Sequence, residues 1–439
     1  TGNVRSQRRA QPRASRKDGH HDETPLLGFV SRNFRELAAM SPQQITLSTW
    51  QHARGALRNR YLRQGLYDEG TALMSGVIVN LHDAEHTARR RLENRLFRRD
   101  TFAFWEQDLI PHNIAESIST HLAAGSVDLL QLARLTMMRI SAGIAGIDLG
   151  TDPKRFVLLA ELMSKLARAS SVNHFIGDKQ TVINDGNAAL ATFEAEFFAP
   201  AKASRLQLLQ QVAANELDVA ELPKDVLMTL LSNQDNLSIP DQTVLREIAY
   251  FPWVGSHSTS GAFVNLMDHI FEWLNSHPDS RNDLVDDIAL IQRFGFESLR
   301  LHPASPESVR IAVSDTTIEP DFDVSEGSRV VIDMQAANRD PLIFGSDASQ
   351  FNPYRDIPSD VSPWGLSFGS CFHACIGQEL VSGLEQTATD TEVPLTGAIA
   401  TMAQIVLQHG AIPDPARPAK RDAQSLRQNW LEYPVIFQA

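Results

Sequence analysis

The chain of 439 residues holds very little cysteine: Cys371 and Cys375 are its only two. So sparse a supply excludes a disulfide-stapled secreted scaffold, and the pair alone makes no tetrahedral zinc site. Long apolar runs are missing as well. No stretch approaches the roughly 18 uncharged residues of a membrane span, and no apolar core follows the basic N-terminus as in a secretory signal. A cytoplasmic protein without a membrane anchor is expected. Excess positive charge is also absent, since the net charge is -13 at pH 7. That argues against nucleic acid as a partner, because phosphate binding needs a cationic surface. The exception is Thr1–His20, with Arg5, Arg8, Arg9, Arg13, Arg16 and Lys17 against the single acid Asp18. This composition predicts a disordered, solvated tail over residues 1–24, or else a docking arm for an acidic partner.

What is present suffices for folding. Hydrophobic residues make up 43% of the chain, and at this length a large core forms without disulfides or a structural metal. From Pro25 to about Asp286, apolar residues recur at three- and four-residue spacing, which predicts helices; Val127–Ile147, Phe156–Ala169 and Ala188–Phe198 are the clearest. Gln242–Asn275 reads as one long buried helix, flawed by Pro252 and by the weak helix formers from Gly255 to Ser260. Such a run marks either a kink or bulge at a functional site or a merely bent packing helix. Beyond a helix ending near Leu301, the segments Val309–Val313 and Ser328–Met334 have the texture of short strands. From Ile343 to Phe372 the chain is irregular, and long loops inside compact domains are usually functional. The expected fold class is mainly α with a small β-rich part, a single large domain over residues 25–439.

That irregular segment ends in Phe368-Gly369-Ser370-Cys371-Phe372-His373-Ala374-Cys375-Ile376-Gly377. A helix expected from Ile376 to Leu384 would favour a Cys375 thiolate through its amide hydrogens and dipole. A lone thiolate suits a soft metal, and on haem iron it favours O–O cleavage; two inert buried thiols fit the same residues. The stretch resembles the haem-thiolate loop of the cytochrome P-450 superfamily: Phe368, His373, Cys375 and Gly377 match, while Cys371 stands where the family has glycine. Glu297-Ser298-Leu299-Arg300 is similar to the family's Glu-x-x-Arg. Phe351-Asn352-Pro353-Tyr354-Arg355 resembles the segment whose arginine completes a buried network with that pair, and Ala336–Pro341 fits the run before it. Asp83–Arg90 looks like the family's helix C entrance. There His86 and Arg90 match positions that bind one haem propionate, and Arg310 matches the arginine that binds the other.

The resemblance implies the superfamily's fold and haem b (iron protoporphyrin IX), with Cys375 as the axial metal ligand and Phe368, His373 and Gly377 shaping its loop. It implies a monooxygenase that uses dioxygen on a small or medium organic substrate, in the manner of secondary-metabolite enzymes. Electrons would come from a ferredoxin and a ferredoxin reductase. The run Arg89, Arg90, Arg91, Arg95, Arg98 and Arg99 offers that ferredoxin a positive face, or is simply solvated. The chain departs from the family in its long helix. Where the family has Ala or Gly, Gly, any residue, Asp or Glu, and Thr, this chain has Val254-Gly255-Ser256-His257-Ser258-Thr259. Gly255 would let oxygen and substrate approach. His257, with an ordinary pKa of about 6.5, could replace the acid as proton donor, with Ser258 or Thr259 holding water or peroxide. Alternatively the relay is weakened because the reaction is peroxide-driven, an oxidative coupling, or a group transfer or rearrangement without dioxygen. His257 could also serve only as a hydrogen-bonding neighbour. A non-catalytic haem sensor is the remaining class. Trp253 and Val254, with Leu73–Val79 and Ala304–Val309, are expected to line the substrate pocket.

Overall fold

One helix of 36 residues, Asp241–Ser276, runs through the centre of the protein and organises the elements around it. The computed structural model describes residues 42–97, 99–384 and 395–438; the basic tail and the helical pattern before residue 42 lie outside them. In chain order the helices that matter here are α1 (Asp83–Glu93), α2 (Leu129–Ala145), α3 (Pro153–Ser170) and α4 (Lys179–Phe193). They are followed by the central α5 (Asp241–Ser276), α6 (Ile288–Leu301), α7 (Gln378–Ser382) and α8 (Ala398–Gln408). Their starts are written in the sequence. Asp128, Asp152 and Asp287 each accept a backbone N–H in the first turn that follows, and α2 stops at Gly146 with φ 90°.

Pro252 does not break α5, which is helical throughout without the expected bulge. The small hydroxyl residues bond back along it: Ser256 Oγ donates to the Pro252 carbonyl at 2.6 Å, and Ser258 Oγ donates to the Val254 carbonyl at 2.5 Å. Gly255 serves packing. A Cβ built on it would collide with Ser141 Oγ of α2, so its lack of a side chain lets the two helices meet. The expectation that Gly255 clears space for oxygen is corrected accordingly.

Four strands form the main sheet: β1 (Gln44–Leu47), β2 (Leu62–Gln64), β3 (Glu307–Ala312) and β4 (Arg329–Asp333). Their order is β1-β4-β3-β2, with β1 parallel to β4 and the other pairs antiparallel. Its register sets Gln64 opposite Arg310, so one neutral side chain comes to lie beside a buried cation. The fold class is as the sequence predicts: mainly helical, with small sheets.

Two buried ionic clusters fix the parts around the cysteine loop. In the first, Glu297 accepts two bonds from Arg300, both at 2.7 Å, one from Arg355 Nε at 3.1 Å and one from the Asn352 amide at 3.0 Å. Arg300 also donates to the carbonyls of Asn338 and Ala348, and Arg355 to those of Phe344, Asp347 and Gln350. Asn338 in turn accepts from the Leu366 amide and donates to Ser367 Oγ. The irregular segment thus hangs on one carboxylate. Replacing Arg355 by alanine should leave that buried carboxylate short of a partner and cost about 3–5 kcal/mol. Urea unfolding measures this, and an unchanged midpoint would contradict it.

The second cluster is absent from the sequence reading. Arg89 on α1 donates to Glu247 of α5 at 2.6 Å and lies 3.4 Å from Glu93, and all three side chains are buried. Glu247 also accepts the Ile78 amide. Two carboxyls share one guanidinium, so burial, and the charge of Glu247, hold the Glu93 pKa well above the carboxylate range. Glu93 therefore keeps a proton in the folded chain that the unfolded chain releases, and its contribution to stability is lost as pH rises. The unfolding free energy of Glu93→Gln relative to wild type should accordingly grow in the variant's favour from about pH 5 to about pH 8. A difference constant with pH would contradict this.

Candidate functional site

The cysteine loop closes on itself. The Cys375 amide donates to the Phe368 carbonyl at 2.8 Å, and the Ala374 amide to the Cys371 carbonyl at 3.2 Å. Gly369 takes φ 69°, and Cys371, at the family's glycine position, is held at φ 58°. A side chain there costs about 1–2 kcal/mol, so this loop carries strain that glycine would relieve. Phe368 packs edge-on to Trp364 at 5.7 Å. The helix that follows, α7, is only five residues long, shorter than Ile376–Leu384. Burial dominates, and pushes the Cys375 thiol up in spite of the Gly377 amide and Arg90, contrary to the thiolate the sequence suggested. Cys375 is nonetheless exposed, so its open side faces an interior space.

The residues from α1 and β3 gather at this loop. Arg90 Nη2 donates to the Ala374 carbonyl at 2.7 Å. The ring of His86 lies against that of His373, with centroids 4.2 Å apart. Burial lowers both imidazoles, His86 to about 4 and His373 to about 3, so both are neutral near pH 7. Arg310 adds its charge to the field at His373, and its own bonds go to Gln64, Ser308 and the Val309 carbonyl. Arg89, by contrast, is spent on Glu247 and is removed from the expected docking face. Among the described side chains of that run, Arg91 and Arg95 are exposed.

Haem fits this donor set. Among the described residues, no cluster of three or more His, Cys, Asp or Glu is arranged to hold a metal ion. Cys375 could therefore take one only within a group that brings its own donors. A Cβ built on Gly377 meets nothing within 4 Å, which leaves room for a flat ring system. Among the described residues Arg90 and Arg310 hydrogen-bond to neutral groups alone, and burial drives the Arg310 pKa down to about 10, as expected of guanidiniums that suit two carboxylates. A bound metal's charge would also remove the thiol proton that burial retains.

A cavity of about 370 Å³ lies along α5, in the usual range for a small-molecule site. Trp253, Val254, His257 and Ser258 line it, together with Ala304, Ser305 and Pro306. Tyr67 lines it too and lies close enough to Cys375 for a charge on that sulfur to act on it, which ties the cavity to the cysteine loop. Thr259 and Gly255 are not part of its wall, and neither is the expected segment Leu73–Val79, of which Leu73, Met74, Val77 and Ile78 are buried in the core. His257 Nδ1 lies 3.0 Å from the Trp253 carbonyl, a bond only a protonated Nδ1 can make, so Nε2 is left as an acceptor without a partner. Burial, and then Arg134, lower its pKa to about 3, so the expected titration near neutrality does not occur.

The family model for Cytochrome P450 matches residues 266–382, which hold both the Glu297 network and Cys375. The chain is 26% identical to cytochrome P450 71A12 of Arabidopsis thaliana over 40% of this chain and 40% of that protein. It thus aligns with less than half the length of that relative. Among solved structures it is similar to CalO2, with TM-score 0.68, 17% identity and 90% of each chain covered. It is similar also to CxnD, described as a cytochrome P450 enzyme for C–S bond formation in chuangxinmycin biosynthesis, with TM-score 0.68, 20% identity and 89% and 87% covered. Fold, loop and network agree with these likenesses: the chain has the fold of these cytochrome P450 structures, and its residues 266–382 match the family model for Cytochrome P450.

Proposed function

We propose that this protein is a haem-dependent monooxygenase that inserts one oxygen atom from dioxygen into a small or medium organic molecule held in the cavity along α5. The observation that carries this reading is the gathering of Cys375, Arg90, His86 and Arg310 at one interior face, with the His257 cavity joined to it through Tyr67. Haem on a thiolate supplies the oxidising chemistry, including cleavage of the O–O bond. The protein supplies binding and orientation. Cys375 is the sulfur donor, Arg90 with His86 and Arg310 hold the two carboxylates of the ring, and His373, Phe368 and Gly377 shape the loop around the sulfur.

On the cavity side, Trp253 and Val254 give an apolar wall that orients substrate. His257 is neutral and has spent its Nδ1 proton on the Trp253 carbonyl, so Nε2 accepts. That atom is sealed from solvent, so His257 acts as a positioning residue through its ring in the cavity wall rather than as a cationic acid. Ser258 presents its hydroxyl oxygen to the same space while its proton rests on the Val254 carbonyl. Thr259 is buried outside the cavity wall and takes no part. Electrons reach the site from a ferredoxin and its reductase, with the exposed Arg91 and Arg95 as docking contacts. No helix among the described residues is long and apolar enough to cross a membrane, and a cytoplasmic setting belongs to this proposal.

A second reading, group transfer or rearrangement without dioxygen, is favoured by one observation: the position of the family's acid carries an imidazole that stays neutral near pH 7. Incubation with candidate substrates, a ferredoxin system and isotopically heavy dioxygen separates the two. Monooxygenation predicts a reductant-dependent product carrying one heavy oxygen atom. Replacing His257 by phenylalanine should then divert more reductant into free peroxide, with no inflection in the wild-type pH profile assignable to His257 between about pH 5 and 8. A product formed without dioxygen would overturn the first reading.

A further inference from the structure

Three guanidiniums line the cavity, those of Arg134, Arg168 and Arg427, against one carboxylate, Asp422. Arg168, at an exposed position, donates to Gln424 and lies over the Phe175 ring. The other two are different. Among the described residues, neither Arg134 nor Arg427 makes a side-chain hydrogen bond or an ion pair, and the Nε of each is sealed from solvent without a partner. Asp128 and Asp422 are the acids that influence Arg134, Glu307 the one that influences Arg427, and none of them comes within ion-pair distance. The histidines on the wall do not alter the balance in the acid direction: His174, His257 and His302 are all held neutral near pH 7 by burial. Both side chains are only partly exposed, and a guanidinium drawn partly out of water without a partner is costly; two of them lining one cavity make a donor set suited to an anion.

We propose that the substrate of this site carries a carboxylate, bound by Arg134 and Arg427, with its apolar body against Trp253 and Trp430. Arg134 sits on α2 close enough to His257 for its charge to act on that ring, whereas Arg427 comes from the C-terminal turn and acts on Tyr67 and His174. The anion is therefore held on the cavity walls, and the apolar part is left to approach the Cys375 face. This deepens the monooxygenase reading and rests on it for the role of the bound molecule, though not for its charge. Arg90 and Arg310, assigned to the haem carboxylates, are separate groups.

The test uses the haem-loaded protein and arylalkanoic acids from phenylacetate to naphthylbutyrate, each paired with its primary amide and its amine. Binding is followed by quenching of tryptophan fluorescence, which Trp253 and Trp430 report without reference to the haem, and by the shift of the haem absorption band. The acids should bind about ten-fold or more tightly than the amides and amines. Arg134→Gln and Arg427→Gln should each erase most of that preference, weakening acid binding far more than amide binding; since neither side chain has a hydrogen bond to lose among the described residues, folding should survive both. Equal binding of acid and amide, preference for the amine, binding of neither, or a preference that survives both substitutions would overturn the proposal. Failure of the protein to give a haem-thiolate spectrum would overturn the monooxygenase reading instead, and the fluorescence result would still decide the charge of the ligand.

Discussion

The carboxylate of Glu297 is the point on which the rest of the site depends. It takes four hydrogen bonds, two of them from Arg300 and one each from Arg355 and the Asn352 amide. The guanidiniums it collects then reach carbonyls from Asn338 to Gln350, a stretch ordered by little more than one short turn of helix. Asn338 carries the constraint onward to Leu366 and Ser367, two and one residues before the Phe368 carbonyl that accepts the Cys375 amide. Burying this much charge is expensive, and the arrangement is tolerable because nearly every donor and acceptor is used. The strained Cys371 turn is held in place by the same framework.

Charge inside the protein runs against charge outside it. The chain carries a net -13, yet among the described residues guanidiniums without carboxylate partners stand at both faces of the candidate site. Arg90 and Arg310 face the Cys375 loop, and Arg134 and Arg427 face the cavity along α5. They differ from Arg89, matched by Glu247, and from Arg205, matched by Asp148 and Asp225. The contrast separates cations that hold the fold together from those that await a ligand.

Much of this was legible in the sequence where spacing along one element carried the information. Helical periodicity gave α2, α3 and α5, and the i,i+3 pair Glu297 and Arg300 announced its network once the Phe351–Arg355 segment was recognised beside it. The cysteine loop was legible for the same reason, since its residues are neighbours in the chain. What could not be read depends on contacts between distant segments. Arg89 and Glu247 lie 158 positions apart, and nothing local distinguishes Arg89 from the exposed arginines next to it. Gly255 meets Ser141 only because two helices cross there. His257 looked like a group titrating near neutrality because burial and the charge of Arg134 are tertiary facts. Arg134 and Arg427 belong to no local motif, and only the fold brings both to one cavity.

The central claim is that Cys375, and not Cys371, is the sulfur ligand of haem iron in a site built by the Glu297 network. Iron X-ray absorption on the haem-loaded protein, with Cys375→Ser and Cys371→Ser alongside, tests it most directly. The account predicts a sulfur neighbour of the iron in wild type and in Cys371→Ser, and its loss in Cys375→Ser. An iron without sulfur in the wild-type protein, or one that keeps its sulfur when Cys375 is replaced, would contradict it.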